Sequence, residues 1–285
     1  MNQACELIAC DASSRKKNRS QEAVISSSKD PDRGLLYGEA CFETMRVIKG
    51  EIFVWDAHLA RLQQGLTAFG LACPQDLLPR CLEAAEEVAE DALLRLTLSG
   101  GVAPRGLMTS SERSPQVHIQ AWPYHPATEP LVLRTLHWPL LGMARIAKFT
   151  ADYAFTIRLL HQARHAGQIG ENEQALFTLG DDLLCMETAN ILLLVNGEWL
   201  SPDSDALLPG VVRAALLESG ALRACRCPVD WLQVCDAMAI CNSGCFIRPV
   251  TVVNGRRLDV HAGRFAVLLD ALRGRKGVPE DILCA

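Results

Sequence analysis

Lysine is scarce in this 285-residue chain: Lys16, Lys17, Lys29, Lys49, Lys148 and Lys276 are all it has, so residues 50–275 hold a single one. Long apolar runs are also missing. None approaches the roughly 18–20 uninterrupted apolar residues of a membrane-spanning helix, and acidic Glu6 and Asp11 stand where a secretory leader would place its apolar core, so a cytoplasmic location is expected. Basic excess is absent as well. A net charge of -5 and a pI near 5.8 argue against a general binder of nucleic-acid backbones, which needs clustered positive charge. Paired C-x-x-C modules are lacking although there are 12 cysteines; the closest pairs are Cys225 with Cys227 and Cys241 with Cys245. Scattered cysteines without a secretory signal are expected to be buried free thiols, not disulfides or zinc ligands.

What is present describes a globular chain. Hydrophobic residues make up 49% and charged residues 21%, enough apolar area for sizeable cores. The length suits two domains of roughly 100–200 residues with a cleft between them. Residues 42–48 alternate in the strand manner and turn at Lys49-Gly50 into a second strand at 52–54. Asp56 is a suitable N-cap for a helix with Leu59, Leu62, Leu66 and Phe69 on one face, ended by Gly70. A second helix is expected over 76–90 and strands over 93–99 and 116–122. Prolines at 123, 126 and 130 mark an interdomain linker, because they favour extended backbone and remove ladder donors. Beyond it the pattern predicts strands at 131–135, 175–179, 183–187, 191–195, 237–241 and 247–253. Helices are expected at 152–165, from 209 or 210 to 219, and at 264–273. The class is α+β, with an N-terminal domain at 1–122, a linker at 123–130 and a larger domain at 131–285.

Lys148 stands out chemically. Arginine serves most surface and ion-pair roles, but its guanidinium stays protonated; a desolvated lysine can lose its proton and attack an aldehyde carbon. From composition alone Lys148 reads as a solvated surface residue, and its neighbours change that reading. The stretch Gly34-Leu-Leu-Tyr-Gly-Glu-Ala-Cys-Phe-Glu-Thr-Met-Arg-Val47 is followed by Gly50, Phe53 and His58-Leu-Ala-Arg-Leu62. Then come Ala147-Lys148 with Asp152-Tyr153, Glu187-Thr-Ala-Asn190-Ile191, Leu208-Pro-Gly-Val-Val-Arg213, and Cys241-Asn-Ser-Gly244 with Pro249-Val250. In this order and at these separations the segments resemble the fold-type IV enzymes of pyridoxal 5'-phosphate (PLP), the class IV aminotransferase group. That group includes branched-chain and D-amino acid aminotransferases and aminodeoxychorismate lyases.

The resemblance implies a two-domain fold of the D-amino acid aminotransferase kind, with a small N-terminal α/β domain and a larger C-terminal domain with a β-barrel-like core. It assigns Lys148 to the cofactor aldehyde. For the cofactor phosphate it implies Arg61, expected on the exposed side of its helix, with Val211 and Val212 at a helix start, where free N–H groups attract anions, and Ser243. Glu187 and Asn190 are assigned to the cofactor ring, Glu187 at the pyridine nitrogen. The family spacing, counted back five residues from Asn190, reaches Cys185 instead, so the two remain alternatives. Arg105, Tyr37, Arg46 and Gly244 are implied on the substrate side; Phe42 reads as core and Asp152 as a helix cap.

Lys148 is expected to act as the base that removes a proton and the acid that returns it. The short length, the Cys241-Asn-Ser stretch and the Gly-x-Ala-Pro-Arg-Gly loop ending at Gly106 favour an aminodeoxychorismate-type lyase, which releases pyruvate and forms 4-aminobenzoate. Transamination of D- or branched-chain amino acids is the alternative, and a non-catalytic PLP-binding protein is a third reading. By resemblance the chain forms a homodimer acting on a small amine or carboxylate substrate, with no nucleic-acid or membrane partner.

Overall fold

The computed structural model describes residues 31–108, 113–139 and 144–280. Cys5, Cys10 and Cys284 lie outside these residues; the nine other cysteines are free thiols. The described residues open with a short helix, α1 (Arg33–Tyr37), capped by the Asp32 carboxylate, which accepts from the Gly34 and Leu35 amides. There follow β1 (Ala40–Ile48), β2 (Glu51–Ile52), α2 (Trp55–Ala68), α3 (Leu77–Glu86), β3 (Asp91–Ser99) and β4 (Gln116–Pro123). The four strands form one antiparallel sheet in the order β2-β1-β3-β4.

In β1 the odd positions Cys41, Met45 and Val47 pack with Leu62 and Leu66 of α2 and Leu77 and Cys81 of α3. Because successive strand residues point to opposite faces, Glu43 belongs to this same apolar row, while Phe42, Thr44 and Arg46 face the other way. The contact with α2 is close. A Cβ on Gly65 would come within 3.0 Å of the Ala147 Cβ and 3.1 Å of the Cys41 Cβ.

The second half contains β5 (Val132–His137), α4 (Thr150–His165), β6 (Gln174–Leu179), β7 (Asp182–Met186), β8 (Asn190–Val195), β9 (Glu198–Pro202), α5 (Val211–Glu218) and β10 (Arg223–Cys225). It ends with α6 (Trp231–Val234), β11 (Ala237–Asn242), β12 (Phe246–Pro249), β13 (Val252–Val253), β14 (Arg256–Arg257) and α7 (Ala266–Leu272). Two five-stranded sheets result, β10-β9-β8-β11-β12 and β14-β13-β5-β6-β7. Leu133 and Leu176 of one share a core with Ile191, Leu193 and Ile240 of the other. The alternate residues Leu192, Leu194 and Ala239 turn outward onto α5 and α7. Each such buried aliphatic contributes roughly 1.5–3 kcal/mol. Facing sheets around one core match the barrel-like expectation, and the mixture of helices and sheets matches the α+β class.

Helix starts differ from their sequence expectations. Helix α2 begins at Trp55, with left-handed Val54 at the N-cap and no side-chain cap; Asp56 lies in the first turn, where its charge favours the helix dipole. Likewise α4 starts at Thr150 after Phe149, so Asp152 is a first-turn residue and not the cap. At α4 the Thr150 hydroxyl is held by the Gly38 and Ala40 carbonyls, a tertiary contact at the helix start.

Candidate active site

The backbone around Lys148 is tied to β1: the Phe42 amide donates to the Lys148 carbonyl at 2.9 Å, and Cys41 bridges to Phe149. The Lys148 side chain reaches a cavity of about 520 Å³, mouth included, lying among α2, α4, α5 and the turns after β7 and β11. Its Nζ lies 5.5 Å from the centre of the Phe42 ring, which packs against Tyr153 at 5.1 Å and carries the Arg95 guanidinium at 3.5 Å. Burial lowers the Lys148 pKa from 10.5 to about 8; Glu43 opposes the shift, while Arg61, Arg95 and Arg145 add to it. An amine so placed holds a sizeable neutral fraction near neutral pH. Burial raises the Tyr153 phenol, which therefore stays a hydrogen-bond donor.

One end of the cavity is built for an anion. Gly210 is the N-cap of α5 and supplies no side-chain cap, so the Val211 and Val212 amides point out of the helix start toward the cavity. Asn190 fixes this corner: its Nδ2 donates to the Leu208 carbonyl at 3.2 Å, and a Cβ at position 210 would lie 2.0 Å from its Oδ1. Arg61 reaches the same end, but from the interior. Contrary to the exposed placement expected from sequence, it is 5% exposed, because the Glu43 carboxylate draws it inward through bonds of 2.7 and 2.6 Å. Its Nη1 also donates to the Pro209 carbonyl at 2.6 Å, just before α5. Ser243 lines this end from the turn after β11, with Oγ 3.3 Å from His58 Nε2.

Glu43 and His58 complete the support. Burial alone would raise the Glu43 pKa, but the bonds to Arg61 and His58 prevail and hold it at about 2. Burial lowers the His58 pKa, against the pull of Glu43.

The opposite wall is the tight turn from β7 to β8, closed by the Met186 amide donating to the Ala189 carbonyl. Cys185, Glu187 and Asn190 all line the cavity. Glu187 accepts from the Ala175 amide through Oε1 at 2.8 Å, and the Cys185 thiol is pushed up to about 11 by burial. A protonated thiol is no substitute for a carboxylate.

The four residues expected on the substrate side lie apart from this cavity. Arg46 pairs with Asp91, stacks on Tyr124 at 3.7 Å and approaches the Gly244 carbonyl at 3.5 Å, all beside a second hollow. Tyr37 accepts from the Gly106 amide at 3.0 Å, next to exposed Arg105. Sequence reasoning overlooked Glu43, Arg95 and Arg145, and it quoted His58 and Tyr153 without giving them a role. The readable signal was Glu43, a charge set in the apolar row of Cys41, Met45 and Val47.

No described helix is long and apolar enough to cross a membrane. The family described as "Amino-transferase class IV" matches residues 40–253, which takes in every cavity residue named above. The chain is 27% identical to the aminodeoxychorismate lyase of Bacillus subtilis over 270 residues, covering 88% of this chain and 89% of that one. It is 31% identical to the aminodeoxychorismate lyase of Vibrio harveyi over 98 residues, 33% of this chain and 36% of that one, so this match spans about a third of the relative. In fold it is similar to the branched-chain aminotransferase of Thermoproteus uzoniensis, with a TM-score of 0.71 at 20% identity, covering 85% and 87% of the two chains. The chain therefore belongs to the class IV aminotransferases, the family of PLP-dependent aminotransferases and lyases.

Proposed function

We propose that this enzyme is a lyase acting on 4-amino-4-deoxychorismate, releasing pyruvate and leaving 4-aminobenzoate. The observation that carries the reading is the pair of guanidinium groups near Lys148: Arg145 lines the same cavity, and Arg95 lies over the Phe42 ring, whose centre is 5.5 Å from the Lys148 amine. The substrate carries two carboxylates and one amine. Two cations near the Lys148 amine suit it better than they suit a branched aliphatic amino acid, which has one carboxylate and an apolar side chain. The whole-length similarity to a lyase of that name supports the same choice.

In this reading Arg61, the Val211 and Val212 amides and Ser243 hold the cofactor phosphate. Glu187, through the carboxylate oxygen not given to Ala175, serves the pyridine nitrogen, and Asn190 acts by fixing the turn into α5. The cofactor supplies an aldehyde that captures the substrate amine and a ring that stabilises negative charge on the adjacent carbon. Lys148 takes the proton from the ring carbon bearing the amine. The carbon–oxygen bond on the neighbouring carbon then breaks, the substrate ring becomes aromatic, and the departing enol gains a proton to become pyruvate. Tyr153 donates to an anionic oxygen beside Lys148, and Arg95 and Arg145 hold the carboxylates.

The test is incubation of the PLP-loaded enzyme with 4-amino-4-deoxychorismate. Equal amounts of 4-aminobenzoate and pyruvate are expected, and neither with Lys148→Ala. If the enzyme instead moves amino groups from D- or L-amino acids to 2-oxoglutarate, the lyase reading is wrong and transamination takes its place. We read the protein as a cytoplasmic homodimer: exposed Leu35 and Leu36 of α1 and Leu107 and Met108 of the following loop share one region, since Arg33 donates to the Gly106 and Leu107 carbonyls. A monomeric mass in solution would contradict this.

A further inference from the structure

Glu43, His58 and Ser243 form a line of hydrogen bonds from the interior of the first sheet to the cavity wall. Glu43 Oε2 lies 2.7 Å from His58 Nδ1, and His58 Nε2 lies 3.3 Å from Ser243 Oγ. Both inner residues are 1% exposed. The members come from β1, α2 and the turn after β11, so the line joins the two halves of the chain.

The direction of each bond follows from the chemistry at its ends. Arg61 grips both Glu43 oxygens, so the carboxylate is ionised and only accepts. His58 must then donate its Nδ1–H, and a neutral imidazole is left with a bare lone pair at Nε2. Ser243 satisfies that lone pair with its single hydrogen and turns only oxygen lone pairs toward the cavity. Such a hydroxyl repels a phosphate dianion. Were the hydroxyl to rotate toward the phosphate, Nε2 would lose its partner in a buried place. One added proton removes both conflicts: Nε2–H donates to Ser243 Oγ, and the hydroxyl hydrogen is free to face the cavity.

We infer that the anion end of this cavity binds phosphate together with a proton, which His58 takes up and converts, through Ser243, into a hydrogen-bond donor. The inference rests on the reading that places the cofactor phosphate among Arg61, α5 and Ser243. Four groups face the imidazole. Glu43 of β1 favours its charged form, Arg61 of α2 and Lys148 of the segment before α4 oppose it, and Ser243 is neutral. Burial disfavours the charged form before any anion arrives, so His58 starts neutral near pH 7. An arriving dianion reverses the balance of charge. His58 is therefore a positioning residue, acting on phosphate only through Ser243.

Sulfate is the probe, because it remains a dianion across the range from about pH 5.5 to about pH 8, so that any proton taken up belongs to the protein. The full-length, cofactor-free protein is titrated calorimetrically in a Lys148→Met background, which removes the titration of that amine. Affinity is expected to fall about tenfold per pH unit through the upper part of this range, and binding heats in buffers of different ionisation enthalpy should report uptake approaching one proton. Ser243→Ala is expected to weaken binding at low pH and flatten the pH dependence, and His58→Gln to flatten it as well. If His58→Gln does not fold, Ser243→Ala at the cavity wall carries the test, with circular dichroism confirming its fold. A pH-independent affinity in the parent, or a slope undiminished by Ser243→Ala, overturns the proton linkage. If Ser243→Ala changes neither slope nor affinity, the phosphate placement itself fails.

Discussion

The two ends of the cavity are built on different principles. At the anion end every side chain is gripped by another: Arg61 by Glu43 and the Pro209 carbonyl, His58 by Glu43, Ser243 by His58. At the other end Lys148, Arg95 and Arg145 lie within electrostatic reach of one another, with Glu43 opposing them at Lys148 and Asp152 within reach of Arg145. The first arrangement holds a constant group in one pose; the second presents cations to an anionic substrate. A site of this kind separates cofactor retention from substrate choice, and substitutions at the two ends should fail in different ways.

The largest effect is expected at the junction. Lys148→Met should lower turnover by at least about 100-fold, since it removes the only general base proposed, while phosphate-containing ligands still bind. Retention of most activity, measured as product formed by the loaded enzyme, would erase the distinction. At the anion end, Glu43→Gln should destabilise the fold by about 3–5 kcal/mol, because it strands a buried Arg61; denaturant unfolding of the cofactor-free protein reads this directly. At the open end, Arg145→Ala should leave the unfolding midpoint within experimental scatter but raise KM about tenfold, consistent with a charged hydrogen bond of ~1.5 kcal/mol or more. A lowered midpoint with unchanged KM would reverse the roles of the two ends.

Smaller effects sharpen the contrast. The Lys148 pKa is depressed on folding, so the unfolded chain holds this proton more tightly between about 8 and 10.5, and stability gained from this residue rises with pH over that window. Lys148→Met should accordingly be more stable than wild type at neutral pH, with the difference fading toward pH 10.5, as thermal melts at several pH values would show. Least of all, Cys185→Ser should shift the cofactor absorbance only slightly if Glu187 serves the ring nitrogen, and Glu187→Gln should shift it more. The opposite ranking would assign the nitrogen to Cys185.

Much of this was legible in the sequence. Lys148 was marked by its isolation together with the motifs around it, and the start of α5 by Leu-Pro-Gly; the spacing before Asn190 left Glu187 and Cys185 as alternatives, and both line the cavity. The position of Arg61 was not, because a helix-face arginine reads as solvated unless its partner is known, and Glu43 lies 18 residues away on a different element. Two arginines escaped for separate reasons. Arg95 alternates in β3 like any polar strand residue, and Arg145 sits in a loop where no periodicity applies. Strands β9 and β10 were passed over because they are short and Pro202 interrupts the apolar pattern.

Gly65 gives the design a mechanical consequence. The helix that carries His58 and Arg61 rests directly on Ala147, the residue next to the active amine, where a methyl group at position 65 would lie only 3.0 Å from the Ala147 Cβ. One missing side chain thus lets anchor and base sit close, and a residue larger than glycine there would press on Ala147 and Cys41 together.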